Sequence, residues 1–206
     1  MSEILSAIGA GLATASLLDR INLLLGLIGV WLMIRRSIWA FPVGLVAVAV
    51  QGVLFYQARF YADAVLQVFF FVTLAWGWWH WVAEEADAPT RPVQRLTARG
   101  WTWSLALGTV ATVGWALALR AWTDAVMPWR DSFIAAFSVI AQVLQARRNL
   151  ENWPCWIVVN AVAISAYWRA DLAYTAFLYL LYLLLGIAGW RAWHRAASVG
   201  SAPSQS

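Results

Sequence analysis

The sequence predicts an all-α, polytopic membrane helical bundle of 3+1+3 design, in which two parallel three-helix repeats flank a linker helix and seven core helices cross the bilayer. Three observations carry this. The chain spells Gly77-Trp78-Trp79-His80-Trp81 and again Gly189-Trp190-Arg191-Ala192-Trp193, and the same offset of 112 lays Arg35-Arg36 on Arg147-Arg148. Two doublets on one register are the mark of an internal duplication. Hydrophobic residues fill 63% of the 206 positions and charged residues 12%, a balance that leaves apolar surface uncovered on a soluble domain and that a bilayer covers. Apolar segments also recur between charged or turn residues along the whole chain.

Residues 1–19 form an amino-terminal segment whose apolar stretch, 4–18, is rich in Ala, Gly and Ser and inserts less favourably than a Leu-rich span. It reads as an extra helix, a surface helix or a targeting remnant, and the acidic Met1-Ser2-Glu3 start argues against a cleavable signal. The first repeat, 20–83, holds spans at 21–34, 38–56 and 62–83. Residues 84–131 comprise a polar loop, 84–100, and the linker helix, 101–122. The second repeat, 132–195, holds spans at 132–146, 153–168 and 172–190, and 196–206 is expected to be a disordered tail. Several spans are shorter than the ~20 residues that cross a ~30 Å hydrocarbon core, so they must extend into polar flanks. Four crossings separate equivalent points, so both repeats enter from one side and are related by a pseudo-two-fold axis along the membrane normal, on which a site would form. The second helix aligns less strictly: Trp39 falls opposite Trp153 only if two residues are inserted.

All 14 cationic side chains are arginine. Nine (Arg35, Arg36, Arg91, Arg95, Arg99, Arg147, Arg148, Arg191, Arg195) fall on one expected side and five on the other, which places the carboxyl terminus in the cytoplasm. That distribution fits a lipid bilayer as partner rather than nucleic acid. Without lysine a Walker-type ATPase is excluded, the lone Cys155 allows no internal disulfide, and His80 and His194 lack co-ligands for a metal site. No acidic residue lies deep in a span, which disfavours proton coupling. No nucleophile with an adjacent base can be assembled either, so the chain is not read as an enzyme. Passive carriage of a small molecule down its gradient fits best.

Polar groups inside the spans are the candidate substrate ligands: Gln51, Gln67, Ser138, Gln142, Asn160, Ser165, Tyr179 and Tyr182. Each costs free energy in hydrocarbon unless a partner or substrate satisfies it. Asn160 stands half way along its span and is either a ligand or interhelical glue. Gln67, Phe71, Leu74, Trp78 and Trp81 share helical spacing, as do Tyr179, Leu183, Gly186, Trp190 and Trp193 at the repeat offset. Facing stripes of this kind suit a flat heteroaromatic ligand held between indoles. Tryptophans at helix ends also serve as interfacial anchors, and the duplication copies either role. Asp63 and Asp171 read as caps at helix entrances, and Glu151 as a cap or a partner of Arg147 or Arg148.

The run Tyr61-Ala62-Asp63-Ala64-Val65-Leu66-Gln67-Val68-Phe69-Phe70-Phe71 with Gly77-Trp78-Trp79-His80-Trp81 resembles the third core helix of the PnuC nicotinamide riboside transporters. Glu151-Asn152-Trp153-Pro154-Cys155-Trp156-Ile157-Val158-Val159-Asn160 resembles their sixth. The resemblance, over roughly residues 20 to 195, implies a seven-helix core like a full-length SWEET carrier and a homotrimer in the bacterial inner membrane. It also implies facilitated diffusion of nicotinamide riboside, made directional by a cytoplasmic kinase. It carries substrate binding onto Gln67, Trp78, Trp81, Trp156 and Asn160, beside Gln51, Gln142, Tyr179, Tyr182 and Trp190 from geometry. Leu74 stands where the family pattern has Asn, which leaves open thiamine or riboflavin, as relatives carry; a separate alternative is a structural membrane protein that transports nothing, its tryptophans all anchors.

Overall fold

The computed structural model describes residues 2–57, 59, 61–85, 93–169 and 172–199. Its helices are α1 Ser2–Thr14, α2 Leu17–Ile34, α3 Ala40–Gln57, α4 Tyr61–Glu85, α5 Ala98–Trp122, α6 Pro128–Ala146, α7 Asn152–Arg169 and α8 Ala173–Val199. Among the described residues there is no β-sheet; an isolated bridge joins Gln94 to Asn149.

The helices pack as a closed ring. α2 packs on α3, α3 on α4, α4 on α6, α6 on α7, α7 on α8, and α8 back on α2. α5 lies outside the ring on α6, and α1 lies on α8. The fold is therefore all-α with two three-helix repeats joined by a linker helix. Among the described residues five helices (α2, α3, α4, α5 and α8) are long and apolar enough to cross a membrane. α6 and α7, with 19 and 18 residues about as long as α2 and α3, are more polar because they bury Ser132, Ser138 and Gln142, and Asn152 and Asn160. The 13 residues of α1 span about 20 Å, short of the ~30 Å core. It is an added helix seated against α8, where Gly11 leaves room for Tyr174.

The repeat register needs no insertion. α2 and α6 end at Ile34 and Ala146, α3 and α7 both begin and end 112 positions apart, and α4 and α8 begin at Tyr61 and Ala173. Phe41 therefore corresponds to Trp153, and Pro42 to Pro154, which corrects the expected pairing of Trp39 with Trp153. Aromatic identity suggested the slip, whereas backbone geometry fixes the register.

The Arg-Arg doublets explain themselves at this level. Arg36 and Arg148 have φ of 56° and 57°, the left-handed conformation that closes a helix. Ser37 N–H reaches back to Leu32 O at 3.0 Å and Arg36 N–H to Met33 O at 2.9 Å. Asn149 to Leu144 O (2.9 Å) and Arg148 to Gln145 O (3.0 Å) repeat the pattern. Arginine holds this conformation against a cost of about 1–2 kcal/mol that glycine avoids. Arg36→Gly is accordingly expected to raise the melting temperature of the solubilised protein. Arg148→Gly should raise it less, since the Arg148 guanidinium lies 4.1 Å over the Trp81 ring. Thermal unfolding of the two variants side by side checks this order.

The linker is tied to the second repeat. Gln94 N–H donates to Arg148 O at 3.0 Å, Leu150 N–H donates to Gln94 O at 2.9 Å, and Leu96 N–H donates to the Glu151 carboxylate at 3.0 Å. Glu151 thus binds the linker backbone. The amino end of α2 is closed by a capping box, with Asp19 N–H donating to Ser16 Oγ and Ser16 N–H to the Asp19 carboxylate, both at 3.1 Å. The first core helix therefore starts at Leu17, earlier than the expected 20 or 21. At the other end α8 runs to Val199, so residues 196–199 are helical rather than tail. Residues 200–206, like Asp171 and residues 86–92 of the polar loop, lie outside the described residues.

Candidate substrate site

The repeated Gly-Trp-x-x-Trp is a lock between the two repeats. Gly77 has no Cβ because Phe41 from α3 occupies that space: a Cβ there would sit 2.8 Å from its ring. Gly189 yields in the same way to Trp153 of α7, at 2.5 Å. The last tryptophan of each motif meets that ring edge-on, Trp81 against Phe41 at 4.9 Å between centroids and Trp193 against Trp153 at 5.5 Å. Each then crosses to the other repeat. Trp81 Nε1–H donates to Ala146 O at 2.8 Å, at the end of α6, and Trp193 Nε1–H donates to Met33 O at 3.2 Å, at the end of α2. Helix-end carbonyls lack intrahelical donors, and the indoles supply them. Because both contacts lie at one end of the bundle, the first helices of the two repeats end on the same side, as parallel repeats require.

The first tryptophans of the motif behave differently. Trp78 and Trp190 are 38% and 43% exposed. The expected stripe Gln67, Phe71, Leu74, Trp78, Trp81 is therefore split: Leu74 and Trp81 are buried, and Phe71 and Trp78 are exposed. The inward line on α4 runs through Leu74, Gly77 and Trp81, and its counterpart on α8 through Gly186, Gly189 and Trp193. Leu74 fits against Gly44 of α3, where a Cβ would lie 3.3 Å from its side chain. Gly186 fits against Ile157 of α7.

Polar groups inside the ring fall into two tiers, measured from the arginine-rich end. The nearer tier belongs to α6 and α7. Gln142 and Asn160 are each 6% exposed, Asn160 Nδ2 donates to Trp156 O at 2.8 Å, and Trp156 Nε1–H donates to Gln145 Oε1 at 2.9 Å. Gln142 Nε2 is buried with no protein partner. Its equivalent in the first repeat is Val30, which packs on the core shared by the two repeats, so Gln142 is on the face of α6 turned to the same interior. At 1.5 Å per residue Asn160 stands about 12 Å from the start of α7.

The farther tier comes from α2, α3, α4, α7 and α8. Asn22 Nδ2 donates to Gln51 Oε1, joining α2 to α3. Gln67 of α4 packs on Gly52, next to Gln51, where a Cβ would lie 3.4 Å from its own. The Tyr182 hydroxyl fills the space left by Gly26, one turn along α2 from Asn22. Tyr179 stacks on Tyr167 of α7 at 5.1 Å. Gln51 stands 11 residues from the start of α3, and Tyr182 the same number before Trp193 of the lock, about 16 Å in each case. The two tiers are thus about a helical turn apart in depth. Ser165 is exposed and donates to Val162 O at 2.7 Å, away from this interior. Asn22, absent from the sequence expectations, joins the polar set because Ser16 starts α2 early and carries Asn22 more than a turn inside the helix. Among the described residues no group of acidic, histidine or cysteine side chains could hold a metal.

The profile of the family described as "Nicotinamide mononucleotide transporter" matches residues 16–195. The nicotinamide riboside transporter PnuC of Escherichia coli (strain K12) is 25% identical over 215 residues, covering 92% of this chain and 90% of that protein. The riboflavin/roseoflavin transporter RibM of Streptomyces davaonensis is 29% identical over 184 residues, covering 85% and 83%. The crystal structure of the vitamin B3 transporter PnuC is similar in fold, with a TM-score of 0.74 at 21% identity, over 96% of this chain and 91% of that one.

Proposed function

Because the chain belongs to the nicotinamide mononucleotide transporter family, and is thereby a multi-pass membrane transporter rather than an enzyme, we propose that it is a uniporter for nicotinamide riboside. The observation that carries the reading is the buried Gln142 amide with no protein partner, one helix away from Asn160 in the interior of a transporter fold. Burying such a group costs about 1–3 kcal/mol unless something bonds it, and a substrate supplies what the protein withholds. Gln142, Asn160 and Trp156 form one side of the proposed site, and Gln51, Gln67, Tyr179 and Tyr182 the other. Trp81 is assigned to the lock between repeats, and Trp78 and Trp190 to the outer surface.

Among the described residues no acidic side chain lies deep in a span, Asp63 standing in the first turn of α4, and the reading is transport down the gradient. A cytoplasmic kinase makes it directional, since a phosphoryl group adds a charge of about −1.5 to −2 that cannot recross an apolar path. The arginine-rich end and the carboxyl terminus face the cytoplasm of a bacterial cell, by the positive-inside bias. The unit in the inner membrane is a homotrimer.

A second reading replaces the substrate with a flavin. Leu74 is 6% exposed and stands where the family pattern has an amide, which leaves a more apolar wall for a larger ring, and one relative is a riboflavin/roseoflavin transporter. Titrating purified protein with nicotinamide riboside, thiamine and riboflavin, followed by tryptophan fluorescence, separates the readings. Saturable binding of the first is expected, and silence toward it with a response to riboflavin would transfer the assignment. Asn160→Leu is expected to weaken the binding of the preferred vitamin roughly tenfold, the worth of one good hydrogen bond. Unchanged affinity on monodisperse protein would make Asn160 interhelical glue.

A further inference from the structure

The Asn22–Gln51 pair has a chemical signature. When two primary amides share one N–H···O bond, the accepting amide keeps its NH2 group and the donating amide keeps its carbonyl oxygen and a second N–H. Here Asn22 Nδ2 donates to Gln51 Oε1, which leaves Gln51 Nε2 as a donor and Asn22 Oδ1 as an acceptor, neither bonded to another protein group. Reversing both amides exchanges the roles but still leaves one donor beside one acceptor. The neighbours deepen this edge: the Tyr182 hydroxyl reaches into the Gly26 notch one turn along α2, and Gln67 packs beside Gly52. The edge is absent from the second repeat, where the equivalents of Asn22 and Gln51 are Ile134 and Ala163. Duplication therefore does not account for it.

We infer that Asn22, through its hydrogen bond to Gln51, sets a donor–acceptor edge that recognises the carboxamide or imide edge of a planar heterocyclic substrate and rejects a carboxylate in its place. Asn22 acts as a positioning and specificity residue. The inference rests on the vitamin-carrier reading and deepens it. A carboxamide offers one acceptor and one donor to this edge. A carboxylate offers acceptors alone: it can take the free N–H groups, but it leaves Asn22 Oδ1 without a donor and beside a negative charge.

The test measures dissociation constants on purified full-length protein for two matched pairs: nicotinamide riboside against nicotinic acid riboside, and riboflavin against N3-methylriboflavin, whose imide donor is blocked. Wild type is expected to prefer the intact amide or imide of its own substrate at least tenfold. Asn22→Leu should weaken that ligand about tenfold and compress the preference toward unity, while the carboxylate or methylated partner changes little. Gln51→Leu should do the same from the other side of the bond, and the double variant should add almost nothing further. Two results overturn the inference: a preference retained in both single variants, or additive losses in the double variant. If wild type binds none of the four compounds, the nicotinamide riboside and flavin readings fail and this inference with them. Discrimination that survives in the variants fails the inference alone. Because Asn22→Leu and Gln51→Leu alter different helices, misfolding of one leaves the other to decide.

Discussion

Truncating Trp81 or Trp193 to alanine is expected to destabilise the protein severely, whereas Trp78→Ala and Trp190→Ala leave it nearly unchanged. The four residues occupy two positions of one repeated motif, and their surroundings separate them. Trp81 and Trp193 are 1% and 0% exposed, each packs edge-on against an aromatic ring, and each donates across the repeat boundary to a helix-end carbonyl. Removing a buried tryptophan costs about 3–5 kcal/mol in packing alone. The lost hydrogen bond adds about 1 kcal/mol. Phenylalanine in either place should restore most of the packing and none of the hydrogen bond, giving an intermediate melting temperature. Thermal unfolding in detergent, with size exclusion to follow aggregation, ranks the set. If Trp78→Ala cost as much as Trp81→Ala, the lock would be in the wrong place.

Gln142→Leu should push stability and binding in opposite directions. The side chain is 6% exposed and its amide nitrogen has no partner, so leucine of similar size removes an unsatisfied donor and is expected to stabilise the fold by about 1–3 kcal/mol. If the same nitrogen bonds the substrate, affinity falls by roughly ten- to a hundredfold, as for loss of a hydrogen bond worth about 1.5–3 kcal/mol. Melting temperature and dissociation constant measured on one preparation give the answer. A variant that is both less stable and unaltered in binding would mean that Gln142 serves the packing of α6.

Much of this was legible in the residues because a duplication in a membrane chain leaves few solutions. The offset between the Gly-Trp-x-x-Trp copies recurs at the helix ends, down to the matching limits of α3 and α7. Failures came where sequence identity was taken for structural equivalence. Trp39 and Trp153 are both tryptophan, yet Phe41 holds the place of Trp153, because the Gly notch and the edge-on ring need an aromatic side chain and not a particular one. The α4 stripe failed for a related reason. Residues spaced as i, i+4, i+7 fan across a helix face, and the neighbours of α4 bury only the side that carries Leu74, Gly77 and Trp81. Asn22 was missed because a polar residue near the expected start of a span resembles an interfacial one, and only the capping box at Ser16 shows otherwise.

By itself the sequence determined the class, the seven core helices, the duplication and the family, since apolar length, charge placement and a fixed offset are properties of the chain alone. The tertiary structure decided which copy of a repeated residue works for the fold and which for the interior. Trp78 and Trp81 differ by three positions, and what separates them is the carbonyl of Ala146, 65 residues away in the chain. The pairing of Asn22 with Gln51, and the solitude of the Gln142 amide, likewise depend on the partners that helix packing brings or withholds. A polar side chain in a membrane span signals only that something must satisfy it. The fold decides whether that is the protein or its cargo.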